Sequence, residues 1–346
     1  MKLVKLPPDS TSYWLPTFKP ESGGQRGLFF PGEYAIPKGQ AASACLACID
    51  TPCRTFTQRD VSAPVAIDTP VYPDLTVCPV DALTILGGSG IPTVDEALCV
   101  GCGICVARCP VGAIHLDPDS AVAVISEPTS EYELQELNFN EFISEREVLA
   151  RAIRSEDAPY ADAGRVRNQI RRINEHLVRG NEQRTFRLLA RNGFLTLGYA
   201  ARLKNPGDNN AFAELVVGEG ENVILLEIET GGDTLDAFRR SMSGVAVARS
   251  RYGVSPEQIA AGVVLDRLPN ERVDYYEAVK NAAARIGVEL RSLPVAALLL
   301  GIRSCDDRLI RFLLNTAVAD SDHRSLERAV ERLWGAAPNT GLRPEK

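Results

Sequence analysis

The sequence predicts an α+β fold in two unlike halves. Its 346 residues are enough for two domains of ordinary size, and 45% of them are hydrophobic, which is enough to form a core. Eight of the nine cysteines lie between positions 45 and 109, while helical and strand-like patterns alternate beyond residue 160. We therefore expect a small cysteine-rich first domain and a larger second domain with a mixed central sheet.

Hydropathy and the first residues of the chain indicate where the protein works. The longest strongly apolar run covers residues 293–302, which is much shorter than the roughly 20 residues that a membrane helix requires. The first ten residues, MKLVKLPPDS, contain two prolines where a secretory signal would have an apolar segment. We expect no membrane partner and a cytoplasmic location.

Charge is distributed unevenly along the chain. Residues 1–150 hold 9 Lys+Arg against 19 Asp+Glu, whereas residues 150–205 hold 12 against 5. The Arg-rich stretch 165–191 is therefore interpreted either as a nucleic-acid footprint or as the solvated face of a helix.

The last four cysteines of the cluster carry the most specific motif. Cys99, Cys102, Cys105 and Cys109 are followed by Pro110, which gives the spacing CxxCxxCxxxCP. This spacing is typical of bacterial ferredoxins, which bind cubane iron–sulfur clusters. Short turns let the first three thiolates surround one cluster, and Gly101 and Gly103 permit the tight backbone that this requires.

A second set of cysteines repeats part of this pattern. The segments CPVDALTI at 78–85 and CPVGAIHL at 109–116 share CPVxA followed by alternating apolar residues. About residues 40–120 thus resemble a bacterial ferredoxin with two [4Fe–4S] clusters. The resemblance implies that one cluster is bound by Cys45, Cys48, Cys53 and Cys109. It implies that the other is bound by Cys99, Cys102, Cys105 and Cys78.

The sequence departs from this family in two places. Four residues separate Cys48 from Cys53, and the insert 54–77 separates Cys53 from Cys78. We expect the insert to be ordered, as a hairpin that covers the cluster. Zinc sites and buried free thiols are the alternatives for the eight clustered cysteines, and Cys305 is expected to be a small core or surface residue.

Periodic patterns predict the elements of the second half in chain order. Apolar residues recur at helical spacing over 161–178, after a first helix over 141–155. A helix from Glu182 to Arg191, ended by Asn192 and Gly193, comes next. The later elements are strands over 194–203, 211–218 and 222–229, a helix over 234–252, a strand over 260–268, a helix over 273–286, a strand over 288–292 and helices over 294–335.

Composition places the domain boundaries. We expect an N-terminal arm and ferredoxin domain over 1–125 and an acidic linker over 126–160. The second domain then covers 161–335, and residues 336–346 form a flexible tail.

The order αβββαβα resembles the restriction-endonuclease-like PD-(D/E)xK superfamily over about residues 175–295. Glu182 falls at the acidic position of the opening helix, and Glu214 falls where the family usually has Asp. Glu227, Ile228 and Glu229 take the place of (D/E)xK, so the usual lysine is missing. The resemblance implies a Mg²⁺-dependent endonuclease with a degenerate active site, whose catalytic candidates are Glu182, Glu214, Glu227 and Glu229.

The strand over 222–229 points to the same site independently. It is apolar on both faces until Glu227, so it should be a central strand that ends with Glu227 and Glu229 on one face. Two such carboxylates repel each other unless a cation lies between them. A Mg²⁺ ion bound by Glu214 and Glu227 would supply that charge. The alternatives are exposure to solvent and ion pairs with an arginine such as Arg187 or Arg191.

Two functions follow from these features. In the first, two [4Fe–4S] clusters transfer single electrons or sense redox state, and they are coupled to a nuclease-like domain that binds or cleaves nucleic acid. In the second, the chain is an electron-transfer ferredoxin whose C-terminal domain is an inactive scaffold for docking a redox partner protein. A third option makes the clusters purely structural.

Overall fold

A computed structural model describes elements of the chain from the N-terminal arm to the last strand of a five-stranded sheet. The described residues are 4–5, 13–14, 27–28, 33–34, 36–37, 45, 51–62, 65, 67, 69–85, 91–109, 114–116, 123–125, 134–135, 172, 182–208, 211–219, 222–230, 233–266, 269, 274–286, 290–295, 298, 299 and 302. Within these ranges, no helix combines the length and the apolar character that crossing a membrane requires.

Short strand pairs characterise the N-terminal arm. The strands are β1 (Val4–Lys5), β2 (Tyr13–Trp14), β3 (Gly27–Leu28), β4 (Glu33–Tyr34) and β5 (Ile36–Pro37). β1 pairs with β4 and β2 pairs with β3, both antiparallel.

The cysteine-rich part is built from two similar hairpins. Its elements are α1 (Gln58–Val61), β6 (Leu83–Ile85), β7 (Pro92–Val94), α2 (Ile104–Arg108), β8 (Ile114–Leu116) and β9 (Ala123–Ile125). β6 pairs antiparallel with β7, and β8 pairs antiparallel with β9. Each CPVxA segment therefore leads into the first strand of a hairpin, so the repeat in the sequence is a repeat of structure. β10 (Leu134–Gln135) follows and pairs with β5.

The second half forms a mixed sheet with helices against it. Its elements are α3 (Glu182–Thr196), β11 (Ala200–Leu203), β12 (Leu215–Glu219), β13 (Asn222–Glu229), α4 (Thr234–Tyr252), β14 (Ile259–Leu265), α5 (Tyr275–Ile286) and β15 (Leu290–Pro294). The strand order is β11-β12-β13-β14-β15. The β11-β12 and β12-β13 pairs are antiparallel, and the β13-β14 and β14-β15 pairs are parallel. The α+β class and the mixed central sheet are confirmed.

The best-predicted elements are β13 and α4, whose bounds agree with the sequence pattern. Residues 223–228 of β13 are buried, as a central strand with two apolar faces requires. α4 begins where the Asp233 carboxylate accepts a hydrogen bond of 3.1 Å from the Asp236 N–H. It ends at Gly253, whose φ of 67° lies in the left-handed region. Both termini therefore have local signals that the sequence displays.

The end of α3 was predicted wrongly, because Asn192 and Gly193 do not cap it. The helix continues to Thr196, and the strand expected from residue 194 begins at Ala200. The Asn192 amide donates to the carbonyls of Thr76 and Val77, at 2.8 and 2.9 Å. A Cβ atom on Gly193 would lie 2.7 Å from the Leu298 side chain, so a larger residue there would require Leu298 to shift. Both residues serve tertiary contacts.

The insert 54–77 is ordered in its described residues, and its two ends pair like the base of a hairpin. The Phe56 N–H donates to the Leu75 carbonyl, and the Val77 N–H donates to the Arg54 carbonyl, both at 2.8 Å. Between these ends the insert contains α1, whose Thr57 and Asp60 form a reciprocal capping box. The insert also packs against the second half, since the Arg202 guanidinium donates to the Thr69 carbonyl at 2.9 Å.

One hydrophobic core joins the two halves of the chain. Phe56, Ile67 and Val77 of the cysteine-rich part belong to the same buried cluster as Phe186 and Leu189 of α3.

The domain boundaries stay predictions, as does the linker over 126–160, most of which lies outside the described residues. The expected helices over 141–155 and 294–335 and the tail also lie largely or wholly outside them, and Arg172 is the described residue of the helix expected over 161–178.

Replacing Asn192 with leucine tests the contact between the halves. The variant removes both amide donors and leaves two main-chain carbonyls without them, so we expect it to lose about 2–4 kcal/mol of stability. Thermal unfolding of the anaerobically prepared protein, followed by circular dichroism, measures the loss. Asn222→Leu, at an exposed strand end, is the matched control. Equal midpoints for the two variants would show that the Asn192 contact does not stabilise the fold.

Candidate metal centre

The seven described cysteines fall into two groups of thiols that lie near one another. Cys45, Cys53 and Cys109 form one group, in which burial and the two neighbouring thiols raise the pKa of Cys53 to about 12. The other group consists of Cys78, Cys99, Cys102 and Cys105. Burial raises the pKa of Cys102 and Cys105, and the Cys78 and Cys99 thiols raise it further. Cys48 and Cys305 lie outside the described residues.

Local backbone geometry places the thiols of the second group. The Asp95 carboxylate accepts hydrogen bonds from the N–H groups of Ala97 and Leu98, at 2.9 and 3.3 Å, which fixes the turn before Cys99. Gly101 and Gly103 have φ values of 66° and 80°. The expectation that these glycines permit a tight backbone is thus confirmed, because other residues rarely adopt such angles.

Two cysteine sulfur atoms already accept hydrogen bonds from the main chain. The Ala82 N–H donates to Sγ of Cys78 at 3.2 Å, and the Ala123 N–H donates to Sγ of Cys99 at 3.4 Å. Bonds of this kind stabilise thiolates and set the reduction potential of iron–sulfur clusters. Half-buried thiols with such donors fit a site in which iron replaces the protons.

Among the described residues, no three His, Cys, Asp or Glu side chains are placed to hold one metal ion.

Comparison with known proteins identifies the chemistry of this region. Residues 92–115 match the family model described as a 4Fe-4S binding domain. This stretch is a 4Fe-4S binding domain. It contains Cys99, Cys102, Cys105 and Cys109.

Several curated proteins resemble short parts of the chain. An uncharacterized ferredoxin of Methanocaldococcus jannaschii is 48% identical over 12% of this chain and 25% of its own length. A component of the Na⁺-translocating ferredoxin:NAD⁺ oxidoreductase complex of Acetobacterium woodii is 39% identical over 14% of each chain. The thiosulfate reductase electron transfer subunit of Salmonella typhi is 41% identical over 15% of this chain and 26% of its own. The chain thus spans about a quarter or less of these relatives, and no solved structure matches it.

Arg108 is a buried cation beside the first group, and the sequence patterns did not single it out. Arg108 is 5% exposed and its Nε donates to the carbonyl of Pro52, the residue before Cys53, at 2.8 Å. The guanidinium lies 3.9 Å from the centre of the Phe56 ring and 3.6 Å from the Asp60 carboxylate. Burial lowers the pKa of Arg108 to about 10, so it remains charged at neutral pH. Its position within the CxxCxxCxxxCP motif was the available signal.

The carboxylates predicted for the second site do lie together, but they face an arginine of α4. Glu227 is 3% exposed, and the Arg240 Nε donates to it at 2.9 Å. The same guanidinium donates to Glu229 at 3.4 Å and also pairs with Asp236. Glu214 accepts a hydrogen bond of 3.0 Å from the Ile228 N–H. Arg240 therefore supplies positive charge between these carboxylates.

The outcome differs among the residues proposed for this site. Neither arginine named as an alternative partner makes the pair, since Arg187 donates to the Lys204 carbonyl and Arg191 to the Asp74 carbonyl. Glu182 is the first residue of α3, and its side chain lies outside the described part of the structure. The assignment of Mg²⁺ to Glu214 and Glu227 stays a prediction.

Three of the four described arginines of the stretch 165–191 face the cysteine-rich part of the same chain. Arg172 donates to the Cys99 carbonyl at 3.1 Å. Arg184 pairs with Asp74 and Asp81, at 2.8 Å each. Hydrogen bonds to carbonyls also hold Arg187 and Arg191, as given above. These four side chains are therefore engaged within the chain, and the interpretation of the stretch as a nucleic-acid footprint stays a prediction.

Replacing Arg240 with glutamine tests the ion pairs at the end of β13. Burial raises the pKa of Glu227 above its ordinary 4.5, and the Arg240 charge opposes that rise. Without Arg240 the ionised Glu227 is penalised, so the loss of stability should grow as the pH rises above about 4.5 and should be small in acid. Urea unfolding of this variant and of the parent at pH 5 and pH 8 measures it, with about 1–3 kcal/mol expected at pH 8.

Arg239→Gln is the matched control, because Arg239 is exposed one position earlier on the same helix. It should unfold like the parent at both pH values. A loss from Arg240→Gln that is the same at pH 5 and pH 8 would contradict the proposed role of Glu227 ionisation.

Proposed function

We propose that this chain is an electron-transfer protein with two [4Fe–4S] clusters, and that its C-terminal half is a scaffold without catalysis of its own. The grouping of the described thiols carries the proposal. Cys78, Cys99, Cys102 and Cys105 would hold one cluster, and Cys45, Cys48, Cys53 and Cys109 the other. A bound [4Fe–4S] cluster accepts and donates single electrons.

The second cluster is supported by the cysteines that surround the 4Fe-4S binding domain. The matched stretch 92–115 contains four cysteines, yet the Cys109 thiol interacts with Cys53, as the Cys45 thiol does. Cys78, which follows the insert, lies near Cys105 together with Cys102 and Cys99. It would therefore be the fourth ligand of that set in place of Cys109. An exchange of ligands between the two CPVxA repeats accounts for both observations.

The two sites are close enough to exchange electrons. Cys105 lies on α2 in one group, and Cys109, at the end of the same short helix, lies in the other. The Cys53 thiol also contributes to the raised pKa of Cys105, so the groups interact through space. An electron that enters one site can therefore pass to the other. We propose a redox partner protein as its source or acceptor, in the cytoplasm.

The scaffold role rests on how the second half uses its charges. Arg240 pairs with Glu227 and Glu229, and three of the four described arginines of 165–191 bind the cysteine-rich part. A nuclease of the expected kind would need those carboxylates for a metal ion and those arginines for phosphates. The structure has these carboxylates in ion pairs with Arg240 and these arginines in contacts with other parts of the same chain.

A nuclease-like function of the second half is the other candidate, and the order of its elements favours it. The sequence α3, β11, β12, β13, α4, β14 forms a mixed sheet with Glu227 at the end of its central strand. This order supports a restriction-endonuclease-like fold, in which Glu214, Glu227 and Glu229, with Glu182, would hold Mg²⁺ and act on nucleic acid.

Iron and sulfide counts test the two-cluster proposal. We expect about eight irons per chain in anaerobically purified protein, since each cluster contains four. Cys102→Ser and Cys53→Ser should each reduce the count to about four, and each should keep the electron paramagnetic resonance signal of the other cluster after reduction. Cys305→Ser is the control and should keep both. Zinc in place of iron, or disulfides among these cysteines, would exclude the proposal.

A cleavage and retention assay separates the scaffold from the nuclease. The protein is incubated anaerobically with DNA or RNA and with Mg²⁺ or Mn²⁺, in parallel with Glu227→Ala. We expect no cutting and no retention of nucleic acid by either protein. Metal-dependent cutting by the parent that Glu227→Ala abolishes would establish the nuclease function instead.

A further inference from the structure

Each group of thiols has one arginine held against the main chain beside it. Arg108 donates to the carbonyl of Pro52, directly before Cys53, at 2.8 Å. Arg172 donates to the carbonyl of Cys99 itself at 3.1 Å. Neither arginine is part of the ligand sets. Both are fixed cations within a few ångströms of a ligand's backbone.

The two arginines differ in burial. Arg108 is 5% exposed and is enclosed by the Phe56 ring, with its guanidinium 3.9 Å from the ring centre. Arg172 is half-buried. A charge removed from water is screened less, so it acts more strongly on its surroundings than one that water reaches.

Arg108 also has a counter-ion that opposes it. The Asp60 carboxylate lies 3.6 Å from the guanidinium and is 20% exposed. It is held in place by the capping box of α1, where its oxygen accepts from the Thr57 N–H at 2.8 Å. The net field at the first group is therefore set by a buried cation and a partly exposed anion.

Reduction adds one negative charge to an iron–sulfur cluster. A fixed cation nearby stabilises the reduced form relative to the oxidised form and so raises the reduction potential, because net charge and surroundings set the potential of such clusters. We propose that Arg108 raises the potential of the cluster bound by Cys53 and Cys109, and that Arg172 raises the potential of the cluster bound by Cys99, by less. This inference rests on the proposed presence of two clusters.

Arg172 gives the inference a second consequence. It belongs to the Arg-rich stretch 165–191 and not to the cysteine-rich part, so the potential of the cluster bound by Cys99 depends on a residue contributed by the later sequence. The two halves are thus linked electrostatically at the redox site as well as through their shared core.

Redox titrations followed by electron paramagnetic resonance test the proposal. The single-cluster proteins Cys53→Ser and Cys102→Ser first assign the two signals of the reduced parent. We expect Arg108→Gln to lower the midpoint potential of the signal assigned to the Cys53 cluster and to leave the other unchanged. Arg172→Gln should lower only the midpoint potential of the signal assigned to the Cys99 cluster, and by a smaller amount. Arg59→Gln, an exposed arginine of α1, controls for a change in overall charge.

Two further variants keep the test decisive if Arg108→Gln binds less iron. Arg108→Lys keeps the charge and should keep the potential near that of the parent. Asp60→Asn keeps the shape of the capping group and removes the opposing charge, so it should raise the same potential. A shift of Arg108→Gln equal to that of Arg59→Gln, or no rise with Asp60→Asn, would overturn the proposal. If both clusters are present and neither midpoint potential shifts in the variants, this inference alone is refuted. If the parent does not contain two clusters, the proposed function is refuted as well.

Discussion

The main chain that leads into Cys78 is held by buried side chains of α3, and the arrangement of the two halves depends on this contact. Asn192 is fully buried and donates to two successive carbonyls, those of Thr76 and Val77. Arg191, also buried, donates to the Asp74 carbonyl slightly earlier in the chain. Three hydrogen bonds from one helix thus fix the segment that positions a cluster ligand. Main-chain carbonyls in such a place require donors, because burying them unpaired costs about 1–3 kcal/mol each.

Buried arginines are tolerated in this fold because their guanidinium groups find acceptors and aromatic rings. A guanidinium keeps its charge, donates hydrogen bonds in its plane and stacks on aromatic faces. Arg108 and Arg191 both lie within the core, against the Phe56 and Tyr72 rings, and both bond to carbonyls of the cysteine-rich part. The positive charge that the sequence shows over 150–205 is therefore used largely for internal contacts where the structure describes it. A count of charges along a sequence cannot distinguish this use from the binding of phosphates.

Local signals made part of the structure predictable. Cysteine spacing is a property of a short segment, so the motif at 99–109 identified its chemistry without knowledge of the fold. The bounds of β13 and α4 were also accessible, since two apolar faces mark a central strand and Asp233 and Gly253 cap the helix. The end of α3 was not accessible. Asn192 and Gly193 form a common stop signal, but the tertiary contacts with Thr76, Val77 and Leu298 outweigh it. Arg240 was missed for the same reason, since its partners lie on a strand 11 to 13 positions earlier.

The insert that departs from the ferredoxin pattern is also the part that binds the second half. Its two ends are hydrogen-bonded to each other, Phe56 to Leu75 and Val77 to Arg54. The added residues therefore leave the chain on either side of the insert close together. Between those ends, Val65 packs against Gly218 of β12 so closely that a Cβ atom there would lie 2.8 Å from it, and Thr69 accepts from Arg202 of β11. A ferredoxin without this insert would have no surface of this kind to offer. The insert therefore provides the contact surface that places a five-stranded sheet beside the metal centre. Because its last residues lead directly into Cys78, the insert connects this contact surface to a ligand of the proposed cluster.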